Sequence, residues 1–98
     1  MSANEKPAFA VRLRSKQVQR ELDKLKGSEY QRVMDKLKVL ENGARPPGCE
    51  KIHGDIYRVR SGEIRIIYLV DEENRHIEVG AIRRRSKRTY KDVESLFQ

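Results

Sequence analysis

Arginines recur at restricted positions in the second half of this 98-residue chain: Arg58 and Arg60, then Arg65, then Arg84. The last lies in an acid-free tract, Arg83-Arg84-Arg85-Ser86-Lys87-Arg88, that runs on through Thr89 to Tyr90. A guanidinium is planar and permanently charged, and its fork can hold two phosphate oxygens at once. Such a set is suited to gripping a phosphodiester and to neutralising charge that builds up on it. It is poorly suited to removing a proton, because arginine does not give one up near neutral pH. Tyr90, where the tract ends, has an ordinary reading as an anchor of the C-terminal helix on the sheet. The two histidines, His53 and His76, are assigned ordinary loop and strand-end roles. His53 precedes the arginine strands, and His76 stands near an acidic turn at the far end of its strand from Arg84. No cluster of His, Cys or carboxylates has ligand spacing, so neither a metal nor a cofactor is expected.

The elements that must position these groups follow from periodicity. Ala8 to Leu13 alternates, with Phe9, Val11 and Leu13 on one face, as a half-buried strand does. Ser15 can cap a helix from about Lys16 to Lys26, with Val18, Leu22 and Leu25 as its apolar stripe and Gly27 as a left-handed C-cap. Ser28 and Gln31 have capping-box spacing for a second helix with the stripe Tyr30, Val33, Met34, Leu37 and Leu40, which Asn42-Gly43 ends. The two form an antiparallel helical hairpin. Arg45-Pro46-Pro47-Gly48 is a loop. Three strand patterns follow as a meander: Ile56 to Arg60, Ile64 to Val70, and His76 to Arg84. Val93, Leu96 and Phe97 have the spacing of a short amphipathic C-terminal helix, with Asp92 and Glu94 in its first turn.

Strand parity sorts the meander. Tyr57, Val59, Ile64, Ile66, Tyr68, Val70, Ile77, Val79 and Ala81 are expected to face the helices. Arg58, Arg60, Arg65 and Arg84 are expected together on the open face, with Ile67, Leu69 and Ile82 further along. Guanidinium groups gathered on one face repel one another unless an anion sits among them or local acids such as Glu63 and Glu78 pair with them. The expected fold class is therefore α+β: a strand, a helix hairpin packed on an antiparallel sheet with a three-strand meander, and a C-terminal helix.

The totals agree. The length suits one domain, residues 1–98, with a single modest core. A net charge of +7, with 38% of residues charged, favours a polyanionic partner. The one cysteine, Cys49, excludes an internal disulfide and suits a reducing compartment. No apolar run approaches a membrane span and residues 1–10 lack the apolar core of a signal peptide, so a cytoplasmic protein without membrane contact is expected.

The order of elements resembles the RelE/ParE toxin superfamily, and RelE in particular, over nearly the whole chain. The residues that carry the resemblance are Lys51-Ile52-His53-Gly54, Tyr57-Arg58-Val59-Arg60, Gly62-Glu63-Ile64-Arg65-Ile66-Ile67-Tyr68, and Ile82-Arg83-Arg84-Arg85 followed by Tyr90. The resemblance implies a RelE-like microbial RNase fold and the toxin of a type II toxin–antitoxin system. It implies cleavage of messenger RNA in the decoding site of the 30S ribosomal subunit, without a metal, by attack of the 2′-hydroxyl on the scissile phosphate. It also implies an acidic, RelB-like antitoxin.

By the same resemblance the catalytic set is Arg60, Arg65, Arg84 and Tyr90. Arg65 and Arg84 meet transition-state charge, Arg60 holds the phosphate with Arg58, and Tyr90 stacks on a base or orients the 2′-hydroxyl. Arg83, Arg85, Lys87 and Arg88 add RNA contacts. One departure leaves the general base open: both basic positions of the first meander strand are often lysine in RelE-like toxins, and here they are arginine. A cluster of arginines around Tyr90 would lower its phenol from the usual pKa of about 10 and let it share that duty, with Lys87 a weaker candidate. Three rival readings stand beside the RelE one. A ParE-like toxin shares the fold and inhibits DNA gyrase without cutting RNA, but has no need of the Arg58, Arg60, Arg65, Arg84 and Tyr90 set. The others are a non-catalytic ribosome- or RNA-binding module, and a RelE-like protein with weak or lost activity, given the two arginines in place of lysine.

Overall fold

The computed structural model describes residues 8–84 and 96–97. Seven elements follow one another: β1 (Ala10–Leu13), α1 (Lys16–Asp23), α2 (Ser28–Asn42), β2 (Glu50–His53), β3 (Ile56–Ser61), β4 (Ile64–Asp71) and β5 (His76–Arg84). The strands form one five-stranded sheet in the order β1-β5-β4-β3-β2. Every pairing is antiparallel except β1 with β5, which is parallel, so the sheet is mixed rather than antiparallel throughout. The α+β architecture expected from the sequence is present, with one additional strand.

That strand is β2. It pairs with β3 through a two-residue Gly54-Asp55 turn in which Gly54 takes a φ of 55°. Only one of its four residues is even half-buried, so it lacks the alternating apolar signal of a strand. Backbone pairing with β3 holds it.

The helices lie on one face of the sheet. The core there unites Val18 and Leu22 of α1, Val33, Leu37 and Leu40 of α2, and Tyr57, Val59, Ile64, Ile66, Tyr68, Val70, Ile77 and Val79 of the strands. This matches the predicted stripes and sheet face, save that Tyr30 is exposed and that Ala81 and Ile82 exchange faces. Ser15 caps α1 as expected, its hydroxyl accepting from the Val18 N–H at 3.4 Å. The helix junction differs. The first helix stops at Asp23, capped by Lys24, and Gly27, with a φ of 56°, is the N-cap of α2. Glycine has no side chain to bond the helix N–H groups, so Ser28 is already inside the first turn and the expected capping box does not form.

Hydrogen bonds, one of them buried, tie the loop after α2 to the sheet. The Tyr68 hydroxyl donates to the Ala44 carbonyl at 2.7 Å, and burial pushes its phenol pKa up. Arg45 donates from Nε to the Tyr57 hydroxyl at 2.9 Å and pairs with Glu72 at 2.6 Å.

The opposite face carries a smaller apolar cluster of Ile56, Ile67 and Ala81, against which Ile52, Leu69, Leu96 and Phe97 pack. Residues 91–95 of the expected C-terminal helix lie outside the described residues; Leu96 and Phe97 are a short 3₁₀ piece.

Candidate active site

The positions of Arg58, Arg60, Arg65, Arg83 and Arg84 are set by strand register, and the β4–β5 register contains an irregularity. Between β4 and β5, Ile67 pairs with Ala81 and Tyr68 with Val79, which leaves Gly80 as an extra, unpaired residue. Such a bulge interrupts the two-residue alternation. Ala81 therefore joins the open-face cluster and Ile82 joins the helical core, the reverse of the simple parity expected for both.

The same bulge exchanges the two arginines at the end of β5. Arg83 lies opposite Arg65, which lies opposite Arg60 on β3. Arg60, Arg65 and Arg83 thus make one cross-strand row on the open face. Directly opposed residues in such a row have Cβ atoms about 4.5–5.5 Å apart. Arg84 instead lies opposite the fully buried Ile64, on the helical side of the same sheet end. The expectation that Arg84 shares a face with Arg58, Arg60 and Arg65 is thus corrected, and Arg83 takes the place foreseen for it. Arg58 keeps its predicted face, opposite Ile67 and one step from the row.

Arg65 is the central member and is only 4% exposed. Its Nη1 donates weakly to the Gly62 carbonyl at 3.5 Å, and its Nε is buried with no acceptor among the described residues. Neither Arg60 nor Arg65 forms an ion pair among the described residues.

The other three arginines are each met by a carboxylate. Arg58 donates to Glu50 Oε2 of β2 at 2.8 Å, and this hydrogen bond holds the Glu50 carboxyl below its usual range. Arg83 Nε donates to Glu21 Oε2 of α1 at 2.7 Å. The second Glu21 oxygen accepts from the Ile82 N–H at 3.0 Å, on the stretch of β5 beyond its pairing with β1. Arg84 donates through both Nη atoms to both oxygens of Glu29, each at 2.7 Å, a bidentate pair that raises the Arg84 pKa. The acids foreseen as partners were Glu63 and Glu78; Glu78 pairs with Arg14 instead. Glu21 and Glu29 could not be found from sequence spacing, because they lie more than fifty residues from their arginines.

His76 begins β5, at the other end from Arg84, and its Nδ1 is 3.4 Å from Arg12 Nη2. His53 ends β2 and is exposed. Arg85, Lys87, Arg88 and Tyr90 lie outside the described residues.

A two-helix layer on one face of a mixed five-stranded sheet, with arginines gathered at one sheet end, defines a RelE-like α+β fold. The structure of the archaeal RelE–RelB complex from Pyrococcus horikoshii is similar at a TM-score of 0.75 and 28% identity, covering 82% of this chain and 98% of that one. The RelBE2 toxin–antitoxin complex of Mycobacterium tuberculosis is similar at 0.68 and 19% identity, covering 81% and 99%. The isolated E. coli RelE toxin is similar at 0.69 and 19% identity, covering 92% and 100%. No curated protein is similar enough in sequence to count as a relative. The family described as phage derived protein Gp49-like matches residues 20–95, and the chain belongs to it, within the RelE/ParE-like toxin superfamily.

Proposed function

We propose that this protein is the toxin of a toxin–antitoxin pair and acts as a metal-independent endoribonuclease on messenger RNA in the ribosomal decoding site. The observation that carries the reading is the Arg60–Arg65–Arg83 row, centred on a buried guanidinium whose Nε has no acceptor among the described residues. Like charges placed opposite one another across strands destabilise a sheet, and a buried donor without an acceptor typically costs about 1–3 kcal/mol. A phosphodiester between these side chains relieves both.

In this reading the row holds the scissile phosphate and Arg65 faces the charge that grows as the 2′-hydroxyl attacks phosphorus. Arg84 reaches the same sheet end from the helical side and takes a second share of that charge. Tyr90 orients the 2′-hydroxyl or receives its proton, and Arg58, Arg85, Lys87 and Arg88 hold flanking phosphates.

The antitoxin is an acidic, amphipathic segment. It covers the arginine row with its carboxylates and the Ile56-Ile67-Ala81 surface with its apolar side, taking the place of Leu96 and Phe97. The Pyrococcus and Mycobacterium neighbours are complexes of toxins with antitoxins, which supports a partner of this kind.

Primer extension on a defined message, in a translating extract with and without ribosomes, tests the reading. The native protein should give discrete cuts only when ribosomes are present, and Arg84→Ala and Tyr90→Ala should each abolish them. Cutting that survives both substitutions would show that the site is elsewhere. Absence of cutting, with DNA gyrase inhibited instead, would favour the ParE-like alternative.

A further inference from the structure

The carboxylates that meet Arg58, Arg83 and Arg84 are not equivalent. Glu21 is fixed: its side chain is only 10% exposed, and its two oxygens serve Arg83 and the Ile82 N–H. Removing it would leave a strand-edge N–H without its acceptor. Glu50 makes a single-point contact with Arg58 from the neighbouring strand. Glu29 differs from both. It spends both oxygens on one arginine, and the pair stands open to solvent, with Glu29 31% and Arg84 62% exposed.

The geometry is that of a guanidinium fork closed on a planar two-oxygen acceptor, the arrangement in which arginine also takes two oxygens of a phosphate. We propose that Glu29 is an internal stand-in for the RNA phosphate, holding the Arg84 fork in one orientation until a phosphodiester displaces it. The inference rests on Arg84 being a phosphate ligand.

Two features make the exchange feasible. An exposed ion pair contributes little, because water screens both partners, so an incoming phosphate that is also held by the arginine row can outcompete it. The displaced carboxylate does not become an unpartnered charge in a poor place. Glu29 is the acidic residue of the first turn of α2, where the free N–H groups of a helix start favour a negative charge. Glu29 thus has a second stabilising environment within its own helix. Glu29 is a positioning residue that competes with substrate, and it sets the affinity for RNA rather than the rate of the step.

The test is binding of a short fluorescein-labelled 2′-O-methyl RNA, which lacks the attacking hydroxyl, measured by anisotropy across a salt series. Five proteins are compared: the native chain, Glu29→Gln, Arg84→Ala, the double variant, and Glu73→Gln as a control. Glu73→Gln, in the β4–β5 turn at the opposite end of the sheet, removes the same charge without touching an arginine of the site. Glu29→Gln should bind up to ~5-fold more tightly than the native protein, the range of an exposed pair released. It should also show a salt slope steeper by about 0.7, one more phosphate contact on a single strand. Glu73→Gln should change neither quantity as much. In the Arg84→Ala background, Glu29→Gln should bring no gain, and in the cleavage assay Glu29→Gln should lower KM with kcat unchanged.

If Glu29→Gln binds no more tightly while Arg84→Ala binds more weakly, Arg84 is a phosphate ligand and the stand-in role of Glu29 is wrong. If Arg84→Ala changes neither binding nor cleavage, the assignment of Arg84 fails, and the role of Glu29 fails with it.

Discussion

Gly80 lies directly against the ring of Phe97: a Cβ built on Gly80 would stand 2.6 Å from Phe97 Cζ and 2.8 Å from Cε1. The bulge that sorts the arginines and the seat of the C-terminal residues therefore meet at one position. Gly80→Ala should push Phe97, and Leu96 with it, off the Ile56-Ile67-Ala81 surface. Overpacking of this kind typically costs about 1–3 kcal/mol. The expected result is a lower denaturant midpoint and faster chymotryptic cleavage after Leu96 and Phe97. In a Phe97→Ala background the penalty of Gly80→Ala should shrink, because the clashing ring is gone. An equal penalty in both backgrounds would place the cost in the backbone of the bulge rather than in the contact.

Tyr68 tests how the loop after α2 is held. Its hydroxyl is the buried donor to the Ala44 carbonyl, and Tyr68→Phe leaves that carbonyl without its side-chain partner. The expected loss of stability is about 1–3 kcal/mol by urea unfolding near neutral pH. The pH dependence has a definite sign. Burial raises the Tyr68 pKa above its unfolded value of about 10, so the unfolded chain releases its proton first as pH rises. The contribution is intact below pH ~10 and declines as pH climbs from there toward the folded value. Native protein should therefore lose more stability than Tyr68→Phe over that window. Parallel alkaline limbs for the two proteins would count against a buried, protonated phenol.

Most of the architecture could be read from residue types. The stripe Val33-Leu37-Leu40 and the alternation in Ile64, Ile66, Tyr68 and Val70 both report one buried face, and both are in the core. The β2 strand escaped because Glu50-Lys51-Ile52-His53 buries almost nothing, so its pairing leaves no pattern in the side chains. Simple parity puts Arg84 on the wrong face because the bulge at Gly80 breaks the alternation. A glycine inside a strand pattern is itself a signal of a bulge, and counting it so would have exchanged Arg83 with Arg84. The carboxylates of Glu21 and Glu29 come from helices whose rotation about the sheet only the assembled fold fixes.

Acid should remove the contribution of the Arg58–Glu50 pair as alkali removes that of Tyr68, because the two pKa shifts have opposite signs. The hydrogen bond from Arg58 depresses the Glu50 pKa in the folded state. Its contribution is present above the unfolded glutamate value of about 4.3 and is lost as pH falls through the lower folded value. Glu50→Gln should therefore flatten the acid limb of the stability curve below pH ~4.3. The effect should be small, since the pair is exposed, and it should weaken further in high salt. Chemical denaturation of both proteins at pH 3 and pH 6 would show it. If the difference between the proteins were the same at the two pH values, the pair would contribute nothing through its charge.

Arg65 sets stability against function. Its guanidinium is buried, lies between Arg60 and Arg83 in the register, and keeps an Nε without an acceptor among the described residues. A buried cation so placed stabilises the fold poorly, and exchange of buried charged groups for apolar side chains of similar volume is often neutral or favourable by about 1–4 kcal/mol. Arg65→Met keeps the length of the side chain, removes the charge, and relieves the cross-strand repulsion. The expected outcome is a melting temperature equal to or above that of the native protein. Messenger cleavage should meanwhile fall by about 100- to 1000-fold, the usual consequence of removing one preorganised donor from a developing negative charge. Arg65→Lys separates charge from geometry: it should recover part of the RNA affinity without the bidentate fork, and little of the rate. If Arg65→Met instead unfolds more easily while the surviving folded protein cleaves at the native rate, Arg65 is a structural residue and the row has no catalytic centre.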